Sequence, residues 1–238
     1  ARVFHKVVPA LVLAAVLLRW PMPFPAWSHF DETAFVVLPL GFWGGDLNPH
    51  YFNYPTFHFY LTSICYYLAW MVGWGVGASH TAAQHVAYQY LVDGSDVLAV
   101  ARAVGAALSA ATVMVLALLG RRLFDPLTGL LAASMLAVMP LATRFAPLAN
   151  TDTPALFWTV MALLWAVRAR QSGVFRDVLL AGVFIGLSAA TKYPAVLVAV
   201  PVTVALADGL SSRSVGRIAW CALAALLAFC AASPYVWL

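Results

Sequence analysis

Charge is what this chain has least of. Of its 238 residues only 9% are Asp, Glu, Lys or Arg, while 63% are hydrophobic. A soluble domain carries about a quarter charged residues, so the deficit excludes an ordinary soluble enzyme. Cysteine is nearly absent too. Cys65, Cys221 and Cys230 sit inside apolar runs with no metal spacing, which argues against both a disulfide framework and a zinc site. They read as small apolar fillers. No phosphate-binding loop, Gly-x-Gly-x-x-Gly, His-Glu-x-x-His or Gly-x-Ser-x-Gly motif occurs, so nucleotide-driven transport and serine hydrolysis have no support. The formal charge of +4 comes from bases scattered in short loops, not gathered in a stripe, so nucleic acid is not an expected partner.

Apolar runs near the length that crosses a ~30 Å hydrocarbon core fill the chain instead. The expected fold is all-α and integral to the membrane, with about seven spans at 6–22, 96–120, 127–147, 154–169, 178–193, 194–209 and 217–236. The first run, Val7 to Trp20, has the length of a signal-peptide core. It lacks a small-residue cleavage site and is followed by Pro-Met-Pro-Phe-Pro, so it reads as a retained span. No repeat or low-complexity linker divides the chain, and residues 1–238 are expected to form a single membrane domain.

Short cytoplasmic loops are rich in Lys and Arg. With seven alternating spans, Arg2, Lys6, Arg121, Arg122, Arg168, Arg170, Arg176, Arg213 and Arg217 fall on one face. Asp31, Glu32, Asp46, Asp93, Asp96 and Asp152 fall on the other, and only Asp125, Asp177 and Asp208 join the bases. That sorting requires the apolar stretch 56–76 not to cross. Its aromatics suit an interfacial or re-entrant helix inside a long extracytoplasmic loop, 23–95.

Four polar clusters then share one membrane depth: His29-Phe-Asp31-Glu32, Asn48-Pro-His50-Tyr-Phe-Asn53-Tyr54-Pro55, Asn150-Thr-Asp152-Thr-Pro154 and Thr191-Lys192-Tyr193-Pro194. Each has a bland alternative. Asp31 and Glu32 fit a solvated loop pair, and Asp152 ahead of Pro154 fits a helix N-cap. Lys192 fits a lysine snorkelling to lipid phosphate. The histidines fit hydrogen-bonding belt residues, and Arg102 and Arg144 fit interface anchors. Co-location favours function, because ionisable groups near an apolar slab are expensive. Acids and cations at one depth suit a phosphate-bearing substrate, with cations holding phosphate and a carboxylate taking a proton.

At these residues the chain resembles the N-terminal part of the membrane glycosyltransferases of the GT-C class, most closely bacterial relatives of the dolichyl-phosphate-mannose protein mannosyltransferases (glycosyltransferase family 39). The matching features begin with Asp31-Glu32 and Leu47-Asn-Pro-His-Tyr-Phe-Asn-Tyr-Pro55. Gly120-Arg-Arg-Leu-Phe124, Gly129-Leu-Leu-Ala-Ala133 and Asn150-Thr-Asp-Thr-Pro154 follow, and Gly182-Val-Phe-Ile-Gly-Leu-Ser-Ala-Ala-Thr-Lys-Tyr193 comes last. The resemblance implies sugar transfer from a polyprenyl-phosphate carrier to a protein, lipid or glycan acceptor on the outer face of a bacterial inner membrane. It implies Asp31 as general base, with Glu32 a second catalytic candidate. Lys192, Arg144 and Arg102 would face phosphate, with His50 and Tyr54 as further substrate contacts. Asp152 matches a position that in some cousins holds substrate or a divalent metal. The chain has Asn53-Tyr54-Pro55 where some cousins carry metal-binding residues, which weakens the metal expectation. Two other functions are compatible with the sequence: an accessory subunit of a larger membrane complex that kept this fold without turnover, and a transporter. Transporter sites lie at the bilayer midplane, whereas these clusters lie at its edge.

Overall fold

The computed structural model describes residues 2–20, 32–73, 81–207 and 211–237. All regular structure among them is helical: α1 (Arg2–Arg19), α2 (Glu32–Gly41), α3 (Phe57–Met71), α4 (Ala82–Leu91), α5 (Ser95–Leu123), α6 (Pro126–Val138), α7 (Pro140–Phe145), α8 (Asp152–Ser172), α9 (Phe175–Thr191), α10 (Ala199–Leu206) and α11 (Ser212–Ala232). A 3₁₀ segment, Tyr193–Val198, leads into α10. By length and composition α5 and α11 are long and apolar enough to cross a membrane. The three cysteines are free.

Contacts between helix termini give the bundle two ends. The Arg121 guanidinium lies 4.9 Å from the Phe4 ring centroid. Gln171 Nε2 donates to the Arg122 carbonyl at 2.8 Å, Arg170 Nη1 to Ala205 O at 3.1 Å and Arg217 Nη2 to Ala169 O at 2.7 Å. The start of α1, the start of α11 and the ends of α5, α8 and α10 therefore meet at one end, which carries Lys6, Arg168, Arg176 and Arg213 as well. Asp125 and Asp177 are the acids there among the described residues. Asp125 caps α6, accepting from Leu127 N at 2.7 Å and Thr128 N at 3.0 Å. Asp177 is buried beside Arg168 and Arg176.

Glycines at two helix crossings let backbones approach closely, as small residues do between membrane helices. A Cβ on Gly129 would stand 2.4 Å from the Ala117 carbonyl of α5. On α9, Cβ atoms on Gly182 and Gly186 would stand 2.2 Å and 2.3 Å from the Cys221 and Ala225 carbonyls of α11.

One expected span is corrected. The stretch 127–147 is not one helix: α6 ends at Val138, Met139 is extended with ψ 119°, and α7 starts afresh at Pro140. Proline has no N–H to donate and disfavours helical backbone in the residue before it. The expected span 194–209 is likewise irregular, opening as 3₁₀ and ending as helix at Leu206.

Helix α3 packs beside the first turns of α5. It shares a core with Phe35, Val36, Val97, Leu98 and Ala101, and Tyr66 donates its hydroxyl to Val36 O at 3.3 Å. Trp43 donates Nε1 to Ser63 at 3.2 Å, and its ring sits 5.9 Å from Trp70. These partners belong to the end of the bundle away from the basic loops.

Candidate functional site

The end opposite the bases is held by three polar junctions. The first is an ion pair between Asp152, in the first turn of α8, and Lys192, the residue that closes α9. The residues are 40 apart in sequence. Asp152 does not cap its helix, contrary to the bland alternative. Thr151 is the N-cap residue, and the side chain of Asn150 just before it takes the first N–H groups, its Oδ1 accepting from Asp152 N at 3.0 Å and Thr153 N at 3.5 Å. Because Asn150 takes the helix N–H groups, the Asp152 carboxylate is available to Lys192. Both side chains reach solvent, at 60% and 32% exposure, so the pair is weak enough for a ligand to compete with it.

The second junction is buried. Arg102 on α5 grips Glu32 with both arms, Nε to Oε1 at 2.9 Å and Nη2 to Oε2 at 2.8 Å. Glu32 Oε1 also accepts the Ala149 N–H at 2.9 Å. The exposures are 1% for Glu32 and 3% for Arg102, so Glu32 is not half of a solvated loop pair. One carboxylate ties the start of α2 to α5 and to the loop that delivers Asp152. Asp31 and His29 lie outside the described residues.

The third junction is Arg19, the residue that closes the first apolar helix. It is 0% exposed. Nε donates to Ser109 Oγ at 2.8 Å, Nη1 to Ala137 O at 2.8 Å and Nη2 to Leu136 O at 2.7 Å. Pro140 cannot donate to the Leu136 carbonyl, and the break at Met139 leaves the end of α6 open. The guanidinium supplies the missing donors and a positive charge at the negative end of that helix. The signal in sequence was an arginine closing an apolar run, paired with a proline inside another.

The other expected site residues surround these junctions. His50 is exposed, in a left-handed backbone with φ 49°. Its Nε2 meets Asp46 Oδ2 at 2.9 Å. The Asn48 N–H and the His50 ring hold the Asp46 carboxyl below its ordinary range. The same loop reaches Lys192's neighbour: Tyr193 donates its hydroxyl to Phe52 O at 3.2 Å. Tyr54 packs edge-on against Phe35 at 5.0 Å and lines a cavity of about 420 Å³ with Thr33 and Tyr51. Arg144 is exposed on α7 and has no ion-pair partner among the described residues.

Among the described residues no group of three or more His, Cys, Asp or Glu gathers as a metal cage. Asp152, the candidate ligand, is engaged by Lys192. Among the described residues the donor set does not fit a divalent ion, and no step below is routed through one.

Two apolar grooves flank the Asp152–Lys192 pair. One of about 420 Å³ lies between α5, α6–α7 and α8, with Asp152 in its wall. The other, about 500 Å³, lies between α9, α10 and α11, with Tyr193 in its wall.

No curated protein and no solved structure matches the chain. A family model described as dolichyl-phosphate-mannose-protein mannosyltransferase matches residues 85–237. That match covers α5 to α11, including both partners of the Asp152–Lys192 pair and the glycine crossings. The chain therefore belongs to the dolichyl-phosphate-mannose-protein mannosyltransferase family, membrane proteins of the GT-C glycosyltransferase type.

Proposed function

We propose that this protein transfers a sugar from a polyprenyl-phosphate carrier to an acceptor at the end of the bundle that carries the Asp152–Lys192 pair. The observation that supports this most is the pair itself, formed by two distant loops at the end away from the bases. The membrane reading is a single domain of seven passes, made by α1, α5, α6–α7, α8, α9, α10 with its 3₁₀ lead, and α11. The basic end faces the cytoplasm of a bacterial inner membrane. Residues 23–95 form an extracytoplasmic segment in which α3 lies at the interface.

In the proposed reaction the acceptor hydroxyl attacks the anomeric carbon as the bond from that carbon to the carrier phosphate breaks. Asp31, next in the chain to the anchored Glu32, takes the hydroxyl proton. The lipid phosphate leaves as an anion. Lys192, released from Asp152, and the exposed Arg144 stabilise it where the dielectric is low. A single displacement inverts the anomeric centre. The carrier's tail follows the groove that Tyr193, the residue after Lys192, lines together with α9, α10 and α11.

The test uses membranes holding the full chain and a labelled polyprenyl-phosphate sugar. Asp31→Asn should insert normally and lose transfer; undiminished transfer rejects Asp31 as the base. Lys192→Met should raise the donor KM more than it lowers kcat, and an unchanged KM rejects the phosphate role. Reporters fused after Gly77 and after Phe124 should report opposite sides; the same side overturns the topology.

A further inference from the structure

We propose that the cavity between α2 and the 47–56 stretch is a saccharide subsite, and that it holds a sugar ring of a glycan acceptor. The inference rests on the transferase reading above and names its acceptor class: a carbohydrate, not a peptide. The cavity is lined by Thr33, Phe35 and Leu38 of α2 and by Tyr51 and Tyr54 of the stretch that precedes α3. At about 420 Å³ it falls in the range of small-ligand sites, about 300–1,000 Å³. The 47–56 stretch has no regular helix or strand of its own. Its shape is imposed from three sides. Tyr60 of α3 donates its hydroxyl to Leu47 O at 3.0 Å, and Tyr193, just past α9, donates to Phe52 O at 3.2 Å. The Thr56 N–H donates to Ser233 Oγ, at the end of α11, at 3.1 Å. Tyr51 and Tyr54 are therefore presented on a braced backbone.

The wall names the ligand. The Tyr51 and Tyr54 rings lie nearly parallel, 23° apart with centroids at 6.4 Å, and Phe35 meets Tyr54 edge-on. Tyr60, Tyr66, Tyr90 and Tyr193 each spend their hydroxyl on a backbone carbonyl. The hydroxyls of Tyr51, Tyr54 and Thr33 have no hydrogen-bond partner among the described residues, although the three side chains share one cavity. A pyranose has C–H groups on its ring face and hydroxyls around its rim. The C–H groups pack on the negative faces of the tyrosine rings, and each sugar hydroxyl can donate to or accept from a wall hydroxyl. An alkyl chain here would shut water out and leave those wall hydroxyls unsatisfied. The cavity begins at Thr33, two residues after Asp31 in the chain. That is the acceptor side of the proposed reaction, because Asp31 takes the acceptor's proton and the donor phosphate is assigned to Lys192 at the end of α9.

The test is saturation-transfer NMR on the full chain in lipid nanodiscs free of sugar detergents. The probes are the methyl glycosides of mannose, glucose and galactose, with N-acetylserine amide as the peptide-like control. The ring protons of at least one glycoside should take up saturation from the protein. Tyr51→Ala and Tyr54→Ala should each lower that transfer several-fold, and Tyr51→Phe, which keeps the ring and loses the hydroxyl, should lower it less. If Tyr54→Ala does not fold, because its ring packs on Phe35, Thr33→Trp fills the cavity from an exposed position and should lower the transfer as far. Undiminished transfer in these variants, or none to any glycoside, overturns the proposal. So does saturation of the serine amide that depends on the same two tyrosines. Polyprenyl-phosphate mannose added to the Asp31→Asn chain, where nothing is consumed, should leave the glycoside bound. Displacement would assign the cavity to the donor's sugar and overturn the acceptor role. Sugar transfer by a chain that binds no glycoside sinks only the subsite, whereas glycoside binding by an unsubstituted chain that transfers no sugar sinks the transferase reading.

Discussion

Replacing Glu32 by Gln separates an anchoring role from a chemical one. The substitution keeps an oxygen for the Ala149 N–H, which now accepts at 2.9 Å, and removes the charge that faces Arg102. Arg102 is 3% exposed and is left as a buried cation without its carboxylate. Breaking one partner of a buried pair costs about 3–5 kcal/mol, because the remaining charge has lost its compensation. At about 2–4 °C per kcal/mol for a chain of this size, the midpoint of thermal unfolding falls by roughly 6–20 °C. Arg102→Met should cost a similar amount by stranding Glu32. The double variant Glu32→Gln/Arg102→Met removes both charges of this pair and keeps the bond to Ala149, so most of the midpoint should return. Thermal unfolding in detergent, followed by tryptophan emission, reads all three. A Glu32→Gln midpoint within about 2 °C of the parent refutes the anchoring argument, since it lies far below the loss expected of a stranded buried charge. Sugar transfer then decides the second question. If Glu32 only positions the loop before Asp152, the double variant transfers sugar; if its charge acts on substrate, stability returns and transfer does not.

Two further predictions concern packing and protonation. Gly186→Ala should lower the unfolding midpoint, because a Cβ there stands 2.3 Å from the Ala225 carbonyl and overpacking costs about 1–3 kcal/mol. Gly216→Ala, in the first turns of α11 with nothing within 4 Å, should leave the midpoint unchanged or raise it; equal losses at both sites contradict the close-crossing account. His58 on α3 is fully buried, and desolvation lowers its pKa from 6.5 to about 4. The unfolded chain therefore takes up the proton first as pH falls. Stability is full above pH 6.5 and drops between there and about 4, by about 3 kcal/mol. His58→Leu should flatten that stretch of the pH profile, and a profile with the same slope in the variant removes His58 as its source.

What could be read from the residues alone was the sorting of charge and the meeting of Asp152 with Lys192. Both follow from long-range regularities: apolar length sets where the chain turns, and turning places loops at one end or the other. The glycine motifs at 120–129 and 182–186 were visible as patterns, and the structure supplies their reason, the backbone carbonyls that leave no room for a Cβ. Local backbone chemistry was harder. Pro140 gives no break in the hydropathy of 127–147, because the stretch is apolar throughout and hydropathy does not register a missing N–H. Asp152 ahead of Pro154 fits an N-cap by sequence, whereas the helix has Thr151 at its N-cap and the Asn150 side chain accepts the first N–H groups, a choice only geometry makes.

Arg19 shows why such a site resists reading from one sequence. Its partners are the hydroxyl of Ser109 and two backbone carbonyls, and carbonyls have no letter in the sequence. Glu32 and Arg102 are letters, yet their sequence separation of 70 hides the pairing. Both arginines lie within the apolar bundle, where an ion is tolerated only with its hydrogen bonds supplied. They spend their charge on architecture: Arg102 fixes the loop that carries Asp152, and Arg19 fixes the break that shapes the groove beside it. The cations left for a phosphate are Lys192, held by an exposed carboxylate, and Arg144, with no described partner. Burial therefore divides the cations at this end of the bundle, the enclosed ones tied into its architecture and the accessible ones left free to meet the phosphate of the proposed reaction.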